Sequence, residues 1–238
     1  MPEIKFTAQK PEYMGLQHPR PAKKFVPDWY KKMSRFSGAD RKMDVTSQKG
    51  VLEKSLTIKA CVPVLDFLTS GYIIPLWQDL LVERTTGDET YFNWPNADVD
   101  LLGEHPVMQV KGSPIASEVT GGNIYKLHSP WRIQTPPGYS CFFFSPFYER
   151  GDLEILPAVV DTDDQHEVNF PFLFKGRGRE NLYETGMPVV QILPFKREDW
   201  SHTVEDTGAE ASRKLKTSFF DKFSKKYKDT FHKKKVFL

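Results

Sequence analysis

Residues 131–197 read WRIQTPPGYSCFFFSPFYERGDLEILPAVVDTDDQHEVNFPFLFKGRGRENLYETGMPVVQILPFKR. This stretch is a succession of short apolar runs rich in Phe, Ile and Val, and turn residues such as Pro136-Pro137-Gly138 separate them. Short runs at regular spacing with turn signals between them are typical of antiparallel strands in compact all-β folds. We therefore expect a mainly β domain, with a sandwich or a barrel as its architecture.

The β pattern continues upstream to about residue 51. Residues 56–64, LTIKACVPV, predict a strand, and residues 106–110, PVMQV, predict a shorter one. Residues 79–95, DLLVERTTGDETYFNWP, predict a hairpin, because apolar and polar residues alternate on both sides of a Thr-Gly-Asp turn. Residues 63–77, PVLDFLTSGYIIPLW, fit either a short helix or a buried strand, since periodicity does not resolve a short apolar run.

The pattern divides the chain into three parts. Residues 1–50 are predicted to form an extended, Pro-rich N-terminal arm and a short helix, for which Pro27-Asp28 is a typical start. Residues 51–200 are the main β domain. Residues 201–238 are predicted to be a linker and a basic amphipathic C-terminal helix.

Composition indicates a soluble, cytosolic-type protein. The two cysteines, Cys61 and Cys141, lie in apolar runs and match no metal motif, so we expect free thiols in a reducing compartment. The N-terminus lacks the apolar core of a signal peptide, and no segment has the roughly 18 unbroken apolar residues of a membrane span. The histidine spacing proposes no metal site and no cofactor.

Charge is unevenly distributed along the chain. Residues 212–238 carry ten Lys or Arg and two Asp, a net charge of +8, and the remaining 211 residues carry −6. On a predicted helix over 212–232, an aromatic and aliphatic stripe would be flanked by lysines. The stripe consists of Leu215, Phe219, Phe223, Tyr227 and Phe231. Three interpretations stay open: the helix docks on its own domain, lies between partner subunits, or binds nucleic acid or an anionic membrane.

Three motifs in 131–197 resemble the dUTPase and dCTP deaminase superfamily, whose compact all-β fold is called the β-clip. They are Thr135-Pro136-Pro137-Gly138-Tyr139, Val159-Val160-Asp161-Thr162-Asp163 and Gly186-Met187-Pro188-Val189-Val190-Gln191-Ile192. The resemblance implies a nucleotide-acting enzyme in which Asp161 orients a water molecule, Gln191 contacts phosphate and Mg²⁺ is required. The family's Arg-Ser-Gly phosphate motif is replaced here by Ser145-Pro146-Phe147-Tyr148, and its glycine-rich C-terminal arm is absent.

The whole chain, including residues 23–33 (KKFVPDWYKKM), also resembles an uncharacterised protein family carried by tailed phages of marine cyanobacteria. That resemblance implies a viral context, with the host cytoplasm or the virion as the location, and no mechanism.

Two clusters are candidate sites in the residues themselves. The acidic loop with Asp161 and Asp163 fits general-base or metal chemistry, or else a solvated turn between two strands. Arg177 and Arg179 flank Gly178 and fit an anion-binding loop or an exposed loop tip.

The sequence is compatible with two functions. The first is a non-catalytic viral binding or structural module that assembles with itself or with virion or host proteins. The second is the nucleotide-acting enzyme, with Asp161 and Asp163 as its catalytic carboxylates. The missing phosphate motif favours the first function.

Overall fold

The structure is a computed structural model that describes residues 1–36, 56–86, 89–96, 98–119, 123–148, 151–206 and 227–238. The chain divides into two compact units. Unit 1 comprises residues 1–25, 71–198 and 237, and unit 2 comprises residues 26–70, 199–236 and 238. Unit 1 contains all of the strands named below, and unit 2 contains both α-helices.

The described residues are mainly β, as the sequence predicts. Their strands are β1 (Lys5–Ala8), β2 (Arg20–Pro21), β3 (Tyr72–Pro75), β4 (Leu80–Arg84), β5 (Thr90–Asn93), β6 (Leu102–Pro106), β7 (Asn123–Gln134), β8 (Tyr139–Phe144), β9 (Leu153–Ile155), β10 (Ala158–Val160), β11 (Glu167–Phe174), β12 (Glu180–Tyr183) and β13 (Pro188–Lys196). Their α-helices are α1 (Asp28–Lys32) and α2 (Val62–Thr69). Single 3₁₀ turns span Pro11–Gly15, Ala22–Phe25, Ile58–Ala60, Val107–Val110 and Pro114–Ser117.

The strands form three antiparallel sheets. Sheet 1 has the order β1-β7-β11-β9, and β6 also pairs with the long strand β7. Sheet 2 has the order β10-β8-β13-β3-β2, and sheet 3 has the order β12-β4-β5. Within the described part of 131–195 there is no helix, and the strands there pair antiparallel as expected.

The core of unit 1 lies between the inner faces of sheets 1 and 2. Alternate residues point inward on each strand, so β7 buries Leu127, Trp131 and Ile133 while β8 buries Cys141 and Phe143. The ring of Phe143 packs 5.6 Å from that of Phe170 on β11, which joins the two sheets. Burial of such large apolar groups is the dominant favourable contribution to folding.

The predicted hairpin over 79–95 is confirmed as the β4–β5 pair of sheet 3. Leu80 and Val82 point into the core from one face of β4. On β5, the ring centroid of Phe92 lies 4.3 Å from that of Tyr125 and 5.8 Å from that of Phe174. The face of sheet 3 that carries Leu80, Val82 and Phe92 therefore packs on sheet 1. Leu81, Glu83 and the other alternate residues therefore lie on the opposite face.

The predicted strand over 56–64 is wrong. Its residues form the 3₁₀ turn Ile58–Ala60 and the first turn of α2. The Thr57 hydroxyl accepts a hydrogen bond from the Lys59 amide, and Pro63 sits in the first turn of α2, where a missing N–H costs nothing. The ambiguous stretch 63–77 resolves into a helix followed by strand β3.

The predicted strand over 106–110 is also wrong. Strand β6 ends at Pro106, and Val107–Val110 forms a 3₁₀ turn in which Met108 is exposed. Three apolar residues within five positions do not distinguish a strand from a turn, because so short a segment shows no clear periodicity.

Unit 2 contains the predicted helix start at Pro27-Asp28, which is confirmed by α1. Tyr30 on this helix is buried, and the Lys59 ammonium lies 4.5 Å from its ring centroid. On α2, Asp66 pairs with His232 at 3.1 Å and accepts a hydrogen bond from Lys235.

The predicted helix over 212–232 lies mostly outside the described residues. Within it, Tyr227–Phe231 forms one turn of π-helix. No helix among the described residues is both long and apolar enough to cross a membrane.

Candidate functional site

The acidic loop lies where three segments of unit 1 meet. The turn of residues 135–138 leads into β8, the loop of residues 161–165 follows β10, and Arg197 follows β13. The amide of Thr135 bonds the carbonyl of Thr162 at 3.1 Å, and the amide of Arg197 bonds the carbonyl of Gly138 at 2.8 Å. These two bonds bring residues far apart in the chain into one cluster.

Asp163 is the centre of the cluster, with its side chain only 8% exposed. The two terminal guanidinium nitrogens of Arg197, Nη1 and Nη2, donate to its carboxylate at 2.9 and 2.5 Å, and the amide of Gly138 donates to it at 2.8 Å. The pKa of Asp163 is lowered to about 2, chiefly by the charge-assisted bonds from Arg197 and secondly by the hydrogen bond from the Gly138 amide. Asp163 is therefore ionised and fully engaged at neutral pH.

Asp161 follows β10 directly, as the resemblance predicts, and its side chain is 62% exposed. It accepts a hydrogen bond from the Ser140 hydroxyl at 2.6 Å and lies 3.2 Å from Arg197. Arg197 also donates to the Ser140 oxygen at 3.0 Å. We call the set of Ser140, Asp161, Asp163 and Arg197 the Arg197 clasp.

A series of hydrogen bonds between buried side chains lies beside the Arg197 clasp. The hydroxyls of Thr135 and Thr162 lie 2.8 Å apart, and Thr162 donates onward to the Cys141 sulfur at 3.2 Å. Burial of Cys141 raises the pKa of its thiol to about 11, so this group stays protonated. These hydrogen bonds give partners to two hydroxyl groups that would otherwise be buried without any.

The two carboxylates do not fit a shared Mg²⁺ ion in this arrangement. A divalent cation needs several oxygen ligands around it, and here a guanidinium already lies within hydrogen-bond distance of both carboxylates. Two positive groups would have to occupy the same side of Asp163. The geometry supports a structural ion pair instead of an activated water molecule.

Gln191 lies in the middle of β13, with its neighbours Ile73 on β3 and Phe144 on β8. It is 3% exposed. This position is away from the surface at which a phosphate could arrive, and the proposed phosphate contact stays a prediction.

A small cavity of about 110 Å³ lies near the motif positions of the β-clip resemblance. Ser145 and Pro146 line one side of it, and Met187, Pro188 and Val189 line another. The Ser145 oxygen already accepts a hydrogen bond from the Ile155 amide at 2.7 Å. Pockets for nucleotide-sized ligands are usually about 300–1,000 Å³, several times larger.

Arg177 and Arg179 are both exposed, in the connection between β11 and β12. The Arg179 carbonyl accepts a hydrogen bond from the Arg84 amide at 2.8 Å, which fixes the backbone there. Neither arginine belongs to the Arg197 clasp, so their anion-binding role stays a prediction.

Sequence reasoning misses Arg197, Ser140 and the Thr135–Thr162 pair. Arg197 and Asp163 are 34 residues apart, and only the pairing of β13 with β8 brings them together. The one local signal for Arg197 is that it is a charged residue just after a long apolar strand. Many exposed residues have the same position, so the signal is not specific.

Comparisons with known proteins do not place the chain in a family: no protein-family model matches it, and no curated protein matches it significantly. Among the residues that the structure describes, no group of three or more His, Cys, Asp and Glu could hold a metal ion.

Proposed function

We propose that this chain is a non-catalytic viral binding or structural module that assembles with itself or with virion or host proteins. The observation that carries the proposal is the Arg197 clasp. The carboxylates that an enzyme would need for catalysis are bonded to Arg197, Ser140 and the Gly138 amide, so they serve the fold.

Exposed apolar side chains on unit 1 support the proposal that its surface contacts other subunits. In unit 1, Tyr91, Phe147, Val159 and Leu182 are each more than half exposed. Aromatic residues are enriched in protein contact surfaces, where they bury a large area at a low entropic cost. Their presence on several strands and loops is consistent with contacts to neighbouring subunits.

The viral context of the proposal rests on the resemblance to the cyanophage family, which implies the host cytoplasm or the virion as the location. Nucleic acid or an anionic membrane stays an alternative partner for the basic residues 212–238.

A nucleotide-acting enzyme is the second candidate, and the exposed position of Asp161 directly after β10 is the observation in its favour. In that role Asp161, the more exposed carboxylate, would have to release Arg197 before it could orient a water molecule. Asp161→Ala would then abolish deoxynucleotide hydrolysis while leaving the melting temperature nearly unchanged.

Two measurements on the purified chain separate these functions. Light scattering after size exclusion gives its mass over a range of concentrations, and thermal shift gives its response to deoxynucleoside triphosphates with Mg²⁺. We expect a mass above that of one chain and no nucleotide-dependent shift. A monomer that deoxynucleotides stabilise and that hydrolyses them would contradict the proposal.

A further inference from the structure

Sheet 3 has an open face. Its inner face buries Leu80, Val82 and Tyr183 in the core of unit 1. On the outer face, Leu81 pairs with Leu182 of β12, and Glu83 lies opposite Tyr91 of β5. Tyr91 is 52% and Leu182 is 61% exposed. The register therefore places three apolar side chains side by side on one exposed surface.

The same surface is acidic. Glu83 and Glu180 lie directly opposite each other across β4 and β12, and Glu89 accepts a hydrogen bond from the Tyr91 hydroxyl at 3.1 Å. Within the three described strands, no outward-pointing position carries Lys or Arg. We call Leu81, Glu83, Glu89, Tyr91, Glu180 and Leu182 the acidic face.

Two like charges directly opposite each other in a sheet are destabilising. Glu83 and Glu180 form such a pair, and the Asn93 amide, 2.9 Å from Glu83, supplies only a neutral donor. A cationic group placed over the pair would remove the repulsion. The acidic face therefore suits a partner that combines positive charge with apolar side chains, and it repels nucleic acid.

The chain itself contains a segment of that chemistry. In the lysine-rich segment 227–238, Lys228, Lys233 and Lys234 are exposed, and Val236 is 53% exposed. Lys235 instead donates to Asp66. Three exposed lysines beside an apolar residue match three glutamates beside Leu81, Tyr91 and Leu182 in both charge and character.

We propose that the acidic face binds the lysine-rich segment of a second copy of this chain. The inference rests on the proposed function and names the surface through which the module assembles. Because the two surfaces differ, the contact is head-to-tail, so it builds rings or open filaments instead of a twofold dimer. Exposed ion pairs at its rim make the association weaken as salt concentration rises.

Charge reversal in the full-length chain tests the contact. Glu83→Lys with Glu180→Lys should weaken self-association at least about tenfold in sedimentation velocity at low salt, since attraction becomes repulsion. Lys233→Glu with Lys234→Glu should weaken it similarly. Combining all four substitutions should restore much of the association, because each charge pair is re-formed with its signs exchanged.

The matched control is Glu3→Lys with Glu12→Lys, which changes the net charge equally at two exposed positions outside sheet 3. Circular dichroism melting must show that each variant is folded. If the wild-type chain associates and the acidic-face variant behaves as the control does, the inference is overturned while the proposed self-assembly stands. A wild-type chain that stays monomeric at every concentration overturns both the inference and the proposed self-assembly.

Discussion

Asp163 makes stability depend on pH through the Arg197 clasp. An aspartate in an unfolded chain has a pKa of about 3.9, whereas the bonds from Arg197 and Gly138 hold the pKa of native Asp163 at about 2. Unfolding between these pH values therefore takes up a proton. The contribution of Asp163 to stability is fully present above about pH 4 and is lost as pH falls through about 2.

We expect Asp163→Asn to lower the melting temperature by a few degrees at pH 7 and to flatten the fall in stability between about pH 4 and 2. Thermal melts at several pH values measure both effects. Asp164→Asn, at an exposed position in the same loop, is the control and should change neither. Part of the slope remains, because hydrogen bonds from Thr185 also lower the pKa of Asp79. Equal pH slopes for the wild-type chain and Asp163→Asn would refute the structural role.

The two cysteines should differ in reactivity. Cys141 is buried, and burial raises the pKa of its thiol to about 11, whereas Cys61 is partly exposed. Because the thiolate is the reactive form, iodoacetamide should modify Cys61 in the native chain and both thiols only after unfolding. Mass spectrometry of peptides containing each cysteine checks this. Modification of native Cys141 at the rate of Cys61 would show that the core beside Thr162 opens easily.

Sequence reasoning identifies half of the clasp. Asp161 and Asp163 stand out because acidic residues crowd one loop, and Asp161 follows a strand as expected. Their partner Arg197 cannot be identified in the same way, because its position depends on which strand lies beside β8. That choice is made by tertiary packing over dozens of residues and has no local signal.

Gly71 lets strand β3 approach strand β13 closely. Its φ of +72° is in the left-handed region, and a Cβ atom there would lie 1.9 Å from the Ile192 carbonyl oxygen of β13. Gly71→Ala should therefore displace β3 from β13 and cost several kcal/mol of stability in denaturant titrations, beyond the strain of the left-handed conformation alone.

Gly138→Ala is the matched comparison, since Gly138 has a φ of +82° and a Cβ atom added there would meet nothing within 4 Å. It should cost only about 1–2 kcal/mol, the penalty of a left-handed alanine. Equal losses for the two variants would show that the close approach to Ile192 does not determine the effect.

Elements with a strong local signal are predicted well. The β4–β5 hairpin follows from strict alternation on both sides of a Gly-containing turn, and α1 follows from Pro27-Asp28. Residues 56–64 resemble a strand because they are apolar and β-branched. The Thr57 cap and Pro63 favour a turn and helix there, and a short apolar run does not reveal such local competition.

The separation of charge along the chain is the feature most relevant to the proposed assembly. Residues 212–238 carry +8 and the remainder carries −6, so the opposite charges of two copies would favour the proposed self-association. Attraction of this kind accelerates encounter, whereas the apolar residues of the acidic face would supply the lasting contact.

We propose that the chain works by assembling, and that its acidic loop stabilises the fold. Hydrogen–deuterium exchange of the full chain, at low and high protein concentration and with a deoxynucleoside triphosphate and Mg²⁺, tests both parts of this proposal. We predict that concentration increases protection in residues 80–93, 180–183 and 227–238, and that nucleotide leaves residues 161–165 unchanged. Protection of residues 161–165 by nucleotide, with no effect of concentration elsewhere, would contradict the claim.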